Sequence, residues 1–477
     1  MTHTVRTDLG GSPVKSTGTG HTLLSLLHLS DAHVMDSASP ARCEWIELQA
    51  HDPYWKPLLH MHRPYEALTH WALAAHVDRV RSNPLAPWSH KPYDLALSTG
   101  DNIDNAQANE LQAFLAILGG GTAALSAHGG VHEAWGELGQ SRDSPWPFWC
   151  PDASVPDTWK GQGYPVVPDF VARASAPVQS QGLGFAWACL PGNHDVLRQG
   201  TALLTPGIEA IAVGPHKALQ ATPGFRPQEP LKHFVHFPEE FSAGGQRTVA
   251  ADPNRRGLDT RGWLQAVAAS GATGYGSAQV QTGCADTVID TEHVRIILLD
   301  TNHPAGDYQG SVGTAQMVWL EAQLAEVDAQ GRLAVLSSHH GSASLTNTLG
   351  DDPERLLADA VMAVAHRHPC VVAWLVGHRH VHDVQAHRHP GGDTGGFWEI
   401  STGSVIDWPS QMRAVEIVRH ADGRVEVVCT LLDHGASADS LAGIHHAVAQ
   451  RFAAQFLTRM QGGPEVGNVR LLWQRRK

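Results

Sequence analysis

Val371 to His382 reads VVAWLVGHRHVH. A short apolar run that opens on two β-branched residues stops at Gly377, and two imidazoles, His378 and His380, follow two positions apart. This is the pattern of a buried strand that delivers polar residues at its carboxyl end. Glycine lets the backbone turn there without a Cβ clash. Residues two apart on an extended segment point the same way, so the two rings can face one metal cluster. In a chain with 31 histidines the competing reading of a lone Gly-His-x-His is a polar turn.

Four other strand-like runs end in ligand-type residues. His21 to Ser30 (HTLLSLLHLS) runs into Asp31-Ala32-His33, a carboxylate and an imidazole on one face, a hard-plus-borderline pair suited to Mn, Fe or Zn. Asp94 to Ser98 ends in GDNIDN, where Asp101 and Asp104 follow a Gly-led turn and a carboxylate can bridge two cations. Gly184 to Leu190 runs into Pro191-Gly192-Asn193-His194-Asp195; asparagine supplies a neutral oxygen ligand while His194 stays free to handle protons. Arg332 to Ser338 ends in His339-His340. Singly, each is also a solvated loop or a helix cap. Sites in open α/β sheets form beyond the carboxyl ends of strands, so five such tips meeting in one crevice explains more than five coincidences.

Helical periods fill the intervals: from Pro64 to about Arg81, Asn105 to Leu118, Gly313 to Gln330 and Asp352 to His368, with a further strand at His293 to Asp300. Phe397 to Gly403, Arg413 to Arg419 and Arg424 to Leu432 are β-rich runs suited to a sheet edge. Two passages break the alternation. Residues 119–181 are Gly-, Pro- and Trp-rich, a lid candidate; residues 198–288 read as a second insertion or small cap, in which Arg255 and Arg256 are placed to grip an anionic substrate, against a reading as solvated surface. His60, His62 and Arg63 lie on a Pro-punctuated loop that either overhangs the site or forms plain surface. Residues 1–20 read as a flexible arm, 21–435 as the main domain and 436–477 as a C-terminal extension.

The 42% hydrophobic and 17% charged fractions are those of a globular protein with ample core, and 477 residues hold one large domain or two to three ordinary ones. A net charge of -13 argues against a nucleic-acid polymer as partner, while bound cations leave an anionic small molecule allowed. Six scattered cysteines without Cys-x-x-Cys spacing fit reduced thiols in a cytoplasmic protein, and no run is long enough to span a bilayer.

In order and content, the five blocks from Asp31 to His380 closely resemble those of the calcineurin-like metallophosphoesterase superfamily. The stretch FWEISTGSVIDWPSQMR, Phe397 to Arg413, is further similar to a large actinobacterial-type subfamily of undefined substrate. The resemblance implies an α/β fold, a four-layer α/β/β/α sandwich of two mixed sheets with large loop or cap insertions. It implies one first-row ion (Mn, Fe or Zn) on Asp31, His33 and His380, and a second on Asn193, His339 and His378, bridged by Asp101. His194 resembles the proton-handling histidine and Asp104 the carboxylate that orients it; His340 stands behind the ligands or against the substrate. Asn105 occupies the place where protein Ser/Thr phosphatases carry arginine, which weighs against that branch, and Gly341-Ser342 replace a proline frequent in relatives. The implied activity is hydrolysis of a small-molecule phosphodiester or phosphomonoester by a metal-bridging hydroxide attacking phosphorus in line. A catalytically silent binding or scaffold protein on the same fold, or a histidine-rich metal-handling protein, are the rival classes.

Overall fold

Val294–Leu299 is almost wholly apolar because both of its faces are covered: Ile296 and Leu298 enter one buried cluster and Ile297 and Leu299 another. The same two-sided burial recurs through the protein, whose computed structural model describes residues 2–10, 20–125, 148–392, 395–456 and 463–476. In chain order the main strands are β1 (Thr4–Leu9), β2 (His21–Leu29), β3 (Leu95–Ser98), β4 (Trp187–Cys189), β5 (Thr287–Asp290), β6 (Val294–Leu299), β7 (Leu333–Ser338), β8 (Val371–Val376), β9 (Asp383–Arg388), β10 (Gly396–Ser401), β11 (Gln411–Arg419), β12 (Val425–Asp433) and β13 (Val469–Trp473). The longer helices are α1 (Thr69–Ser82), α2 (Ala108–Gly119), α3 (Thr260–Ala269), α4 (Thr314–Ala329), α5 (Ala358–Arg367) and α6 (Leu441–Phe456).

Two mixed sheets result, with strand orders β1-β13-β12-β11-β2-β3-β4 and β9-β10-β8-β7-β6-β5. Their inner faces share one apolar cluster, in which Leu24, Leu26 and Ile417 of the first sheet join Ile296, Val335, Leu375 and Ile400 of the second. The outer face of the first sheet packs on α1, α2, α3 and α6, and that of the second on α4 and α5. This is the four-layer α/β/β/α sandwich, and β2, β3 and β4 run parallel, as do β6, β7, β8 and β10.

Several expectations change. Thr4–Leu9, read as part of a flexible arm, pairs in parallel with β13, because the alternating residues of TVRTDL find a free edge there. β13 lies in residues 436–477, so that segment supplies a strand between β1 and β12 rather than an appendage. The run read as Arg413 to Arg419 is central, since β11 pairs with β2 on one side and β12 on the other. Helix α5 begins at Ala358 instead of Asp352: Arg355–Leu356 is drawn into a short ladder with Val312–Gly313. Within the lid candidate, residues 126–147 lie outside the described residues. Phe148 and Trp149 beyond them are buried in the body. Residues 198–286 form helices and a two-stranded ladder of His216–Ala218 with Gln246–Thr248, and Thr287 and Val288, at the end of the passage read as an insertion, open β5 of the second sheet.

Candidate metal centre

The loops that follow β2, β3, β4, β7 and β8 all leave the carboxyl ends of their strands, and they converge. The backbone there is held in a conformation most side chains avoid: φ is +53° at Asp31, +37° at His33, +49° at Asp101, +67° at His378 and +55° at His380. Such strain persists only where the surroundings over-determine it, and it gathers at functional sites. Gly377 is needed for close approach, since a Cβ at this position would overlap Ser30 Oγ and crowd Asp31 Oδ2.

Three of the histidine rings, those of His33, His339 and His380, are fixed by one nitrogen and present the other. His33 Nδ1 bonds Asp104 Oδ1 at 3.0 Å, His339 Nδ1 donates to the Thr99 carbonyl at 2.8 Å, and His380 Nδ1 bonds Asp407 Oδ2 at 2.5 Å. These partners select the tautomer that leaves Nε2 bare, the arrangement found behind metal-binding histidines. Asn193 is oriented likewise: Nδ2 donates to the Gly200 carbonyl at 2.8 Å, turning Oδ1 to within 2.9 Å of His339 Nε2. Asp31 accepts the His378 backbone N–H at 3.1 Å and lies 3.3 Å from His380 Nε2. Asp101 Oδ2 stands between the two groups, 3.7 Å from His33 Nε2 and 3.2 Å from His339 Nε2.

The deciding feature is that bare nitrogens face each other. His33 Nε2 is 3.1 Å from His380 Nε2, and His339 Nε2 is 3.2 Å from His378 Nδ1. Lone pairs aimed at one another repel unless a cation or a proton lies between, and donors about 2.1 Å from an ion stand about 3 Å apart. Asp31, His33, Asp101 and His380 offer four ligand atoms within 4.8 Å of one another. The donor set therefore fits two cations of the first transition row.

No protein-family model matches the chain. A probable cyclic nucleotide phosphodiesterase from Synechococcus sp. (strain WH7803) is 34% identical over 91 residues, which is 18% of this chain and 32% of that protein's length. The crystal structure of a dimetal phosphatase from Danio rerio overlays 87% of this chain and 97% of its own, with a TM-score of 0.39 and 13% identity.

The electrostatics match such a donor set. Burial works against charge on Asp31 and Asp101, yet the His380 and His339 imidazoles hold both carboxyls below the usual range. Burial equally opposes protonation of His339 and His380, but Asp101 lifts His339 to about 9, and Asp31 with Asp407 lifts His380 to about 10. Protons on His339 and His380 stand in for the positive charge that these carboxylates demand, and a bound cation would displace them. Burial and the charge of neighbouring imidazoles leave His33 at about 4 and His378 at about 3.

His194 stands apart, its side chain 20% exposed at the mouth. Its backbone N–H donates to Asp101 Oδ1 at 2.8 Å, and its Nδ1 lies 2.8 Å from the Asp104 carbonyl and 3.3 Å from Asp104 Oδ1. Burial opposes protonation of this ring, but Asp101 and Asp104 raise its pKa. Asp104 thus steadies His33 and His194 together, and its other oxygen is bound by the buried guanidinium of Arg42.

The expected substrate contacts fall differently. Arg255 is buried, its Nε on Asp36 at 2.8 Å and Nη1 on the Ala250 carbonyl, so it clamps the insertion to the body instead of gripping an anion. Arg256 is exposed outside the donor cluster, its carbonyl accepting from Ala108 N–H. His340 is fully buried, with Nδ1 on Thr301 Oγ1 at 2.9 Å and Nε2 donating to the Tyr308 carbonyl at 3.0 Å, which places it behind His378 and away from substrate. Its nearness to His339 and His378 makes a third nitrogen cluster, but with both its nitrogens engaged, Asn193 and Asp101 complete the second group better. Asp407 and Arg42 were not marked by sequence. Asp407 follows β10, whose carboxyl end points the same way as that of the parallel β8, and that direction is the signal that marks it.

Proposed function

We propose that the chain is a dinuclear-metal-dependent phosphoesterase acting on a small-molecule phosphate ester. The observation that carries this is the pair of facing nitrogens, His33 with His380 and His339 with His378, joined by the single carboxylate of Asp101. Bound there, two ions would lower the pKa of water and offset charge on the phosphoryl oxygens, which is the chemistry that attack on phosphorus needs.

The chain's own residues do the rest. Asp31, His33 and His380 would hold one ion, Asn193, His339 and His378 the other, with Asp101 shared. His194, tethered through Nδ1 to Asp104, has its Nε2 left to protonate the leaving oxygen. Arg42 keeps Asp104 ionised and in place, so the tether survives burial. The mouth is open at His194, His378 and His380, while Asp31, His33, Asp101, Asn193 and His339 are buried away from water.

All six cysteines are free, which supports a reducing compartment such as the cytoplasm, and among the described residues no helix is long and apolar enough to cross a membrane. The test is a screen of the chain loaded separately with Mn, Fe or Zn against an aryl phosphate monoester, an aryl phosphate diester and cyclic AMP. Metal-dependent release of product from any of the three supports the reading. Two bound ions with no turnover on any phosphate ester would favour the silent binding protein.

A further inference from the structure

The loop of residues 59–66 is pinned against the centre from three sides. Arg42 and Gln199 both donate to the Met61 carbonyl, Glu47 accepts the Met61 N–H at 3.2 Å, and Glu66 accepts the Arg63 N–H at 2.8 Å. Arg42 also binds Asp104, and Gln199 lies on the loop that leaves His194, so the segment is fixed by the same groups that fix the site.

On this rigid rim Arg63 has an unusual side chain. Its Nε is 3.2 Å from Asp407 Oδ1, an ion pair, and its guanidinium makes no hydrogen bond to any described residue. The side chain is 22% exposed beside His380, itself 14% exposed. A guanidinium carries five N–H donors in a flat fork that matches two oxygens of a phosphate, and a pinned loop presents that fork without an ordering cost. Asp407 stands between Arg63 and the Nδ1 edge of His380, while the ion would sit at the opposite, Nε2 edge. The fork therefore lies across Asp407 from the donor cluster, so an oxygen that it meets at the rim belongs to a group beyond the scissile phosphate.

We infer that Arg63 binds a second phosphate, so that the substrate is a phosphoanhydride or a bisphosphate. This rests on the phosphoesterase reading above. The complementary charge is local: the chain as a whole carries -13, and a polyanion needs a cation placed at the mouth.

The experiment is direct binding by calorimetry of orthophosphate and of non-hydrolysable methylenediphosphonate to the Mn-loaded full chain, with Arg63→Met and Arg63→Lys beside the wild type and metal content measured on each. The wild type is expected to prefer methylenediphosphonate, and Arg63→Met to lose roughly ten- to a hundredfold of that preference at unchanged metal content. Arg63→Lys should retain part of it, keeping the charge without the fork. In the variant, two results overturn the inference: a preference that survives in Arg63→Met, or loss of the ions, which would make Arg63 only the support of Asp407. A wild type that binds two ions and orthophosphate but shows no preference sinks the second phosphate alone. A wild type that takes up no ions sinks the phosphoesterase reading and this inference with it.

Discussion

Asp101 and His194 are neighbours through one hydrogen bond, yet they carry separable duties. Replacing Asp101 by Ala removes the one carboxylate shared by both donor groups, so metal content and hydrolysis should fall together in elemental analysis and a phosphate-release assay. His194→Ala touches no bare donor: it should keep two ions and lose about 10² to 10⁴ in rate. Wild-type turnover in His194→Ala would remove the proton-transfer role. Behind them, Arg42 is fully buried among Asp104, Glu66 and Glu44. Arg42→Met leaves those carboxylates without their cation and should cost about 3 to 5 kcal/mol in urea unfolding, the penalty of breaking a buried pair. A variant as stable as the wild type would show that water or relaxation replaces it. The candidate donors were legible because each follows within a few residues of an apolar run. Arg42 was not, because it follows no strand and its Asp104 partner is 62 residues away, and Asp407 was not, because six residues separate it from the end of β10 and that run was read as a sheet edge.

At the scale of elements, a parallel strand aims its carboxyl end where its neighbours aim theirs. The run at 397–403 was read as an edge, but β10 lies between β8 and β9, and the turn after it brings Ser404 to the Asp31 carbonyl at 2.7 Å. Periodicity identifies a strand without saying which strands flank it; that is decided by pairings across the chain, such as β8 with β10 or β2 with β11. The rigidity of these turns is testable at Gly377. A Cβ there overlaps Ser30 Oγ, so Gly377→Ala should displace the loop carrying His378 and His380 and lower metal content, while circular dichroism stays that of a folded α/β protein. Full metal occupancy in that variant would mean the loop has slack that the close contact denies.

For the molecule as a whole, the five strand tips pointed to one crevice in an α/β sheet, and the two-sheet sandwich itself came only from the resemblance of those blocks to a known superfamily. The way residues 198–288 are held was not foreseeable: Arg198 binds Glu209 and the Asn105 carbonyl, and Arg255 binds Asp36, so buried ion pairs fasten the insertion where no hydrophobic period marked it. A second whole-molecule feature is a histidine group between α1, α6 and the end of β12. His76 and His434 rings lie 5.2 Å apart, His434 Nε2 is 3.3 Å from His446 Nδ1, and His445 packs on Tyr65. Burial keeps all four below the ordinary histidine range, against the pull of Asp407 on His445 and Asp433 on His434 and His446, with His445 at about 3. The folded chain disfavours their protonation while the unfolded chain takes up protons below about pH 6.5, so stability falls as pH drops through 6.5, by up to about 1.4 kcal/mol per pH unit for fully buried His76 and His445, toward 3 for His445, and by less for the half-buried His434 and His446. Melting temperatures from pH 7.5 to 5 should decline, and His445→Leu should flatten the decline; an identical slope in both proteins would contradict the assignment. The central claim is a pair of adjacent ions, and it is tested most directly by metal analysis of the chain purified without chelator, combined with anomalous diffraction from its crystals. The account predicts two first-row ions per chain, one among Asp31, His33 and His380 and one among Asn193, His339 and His378, with Asp101 touching both. A single ion, or ions bound elsewhere while these nitrogens stay bare, would contradict it.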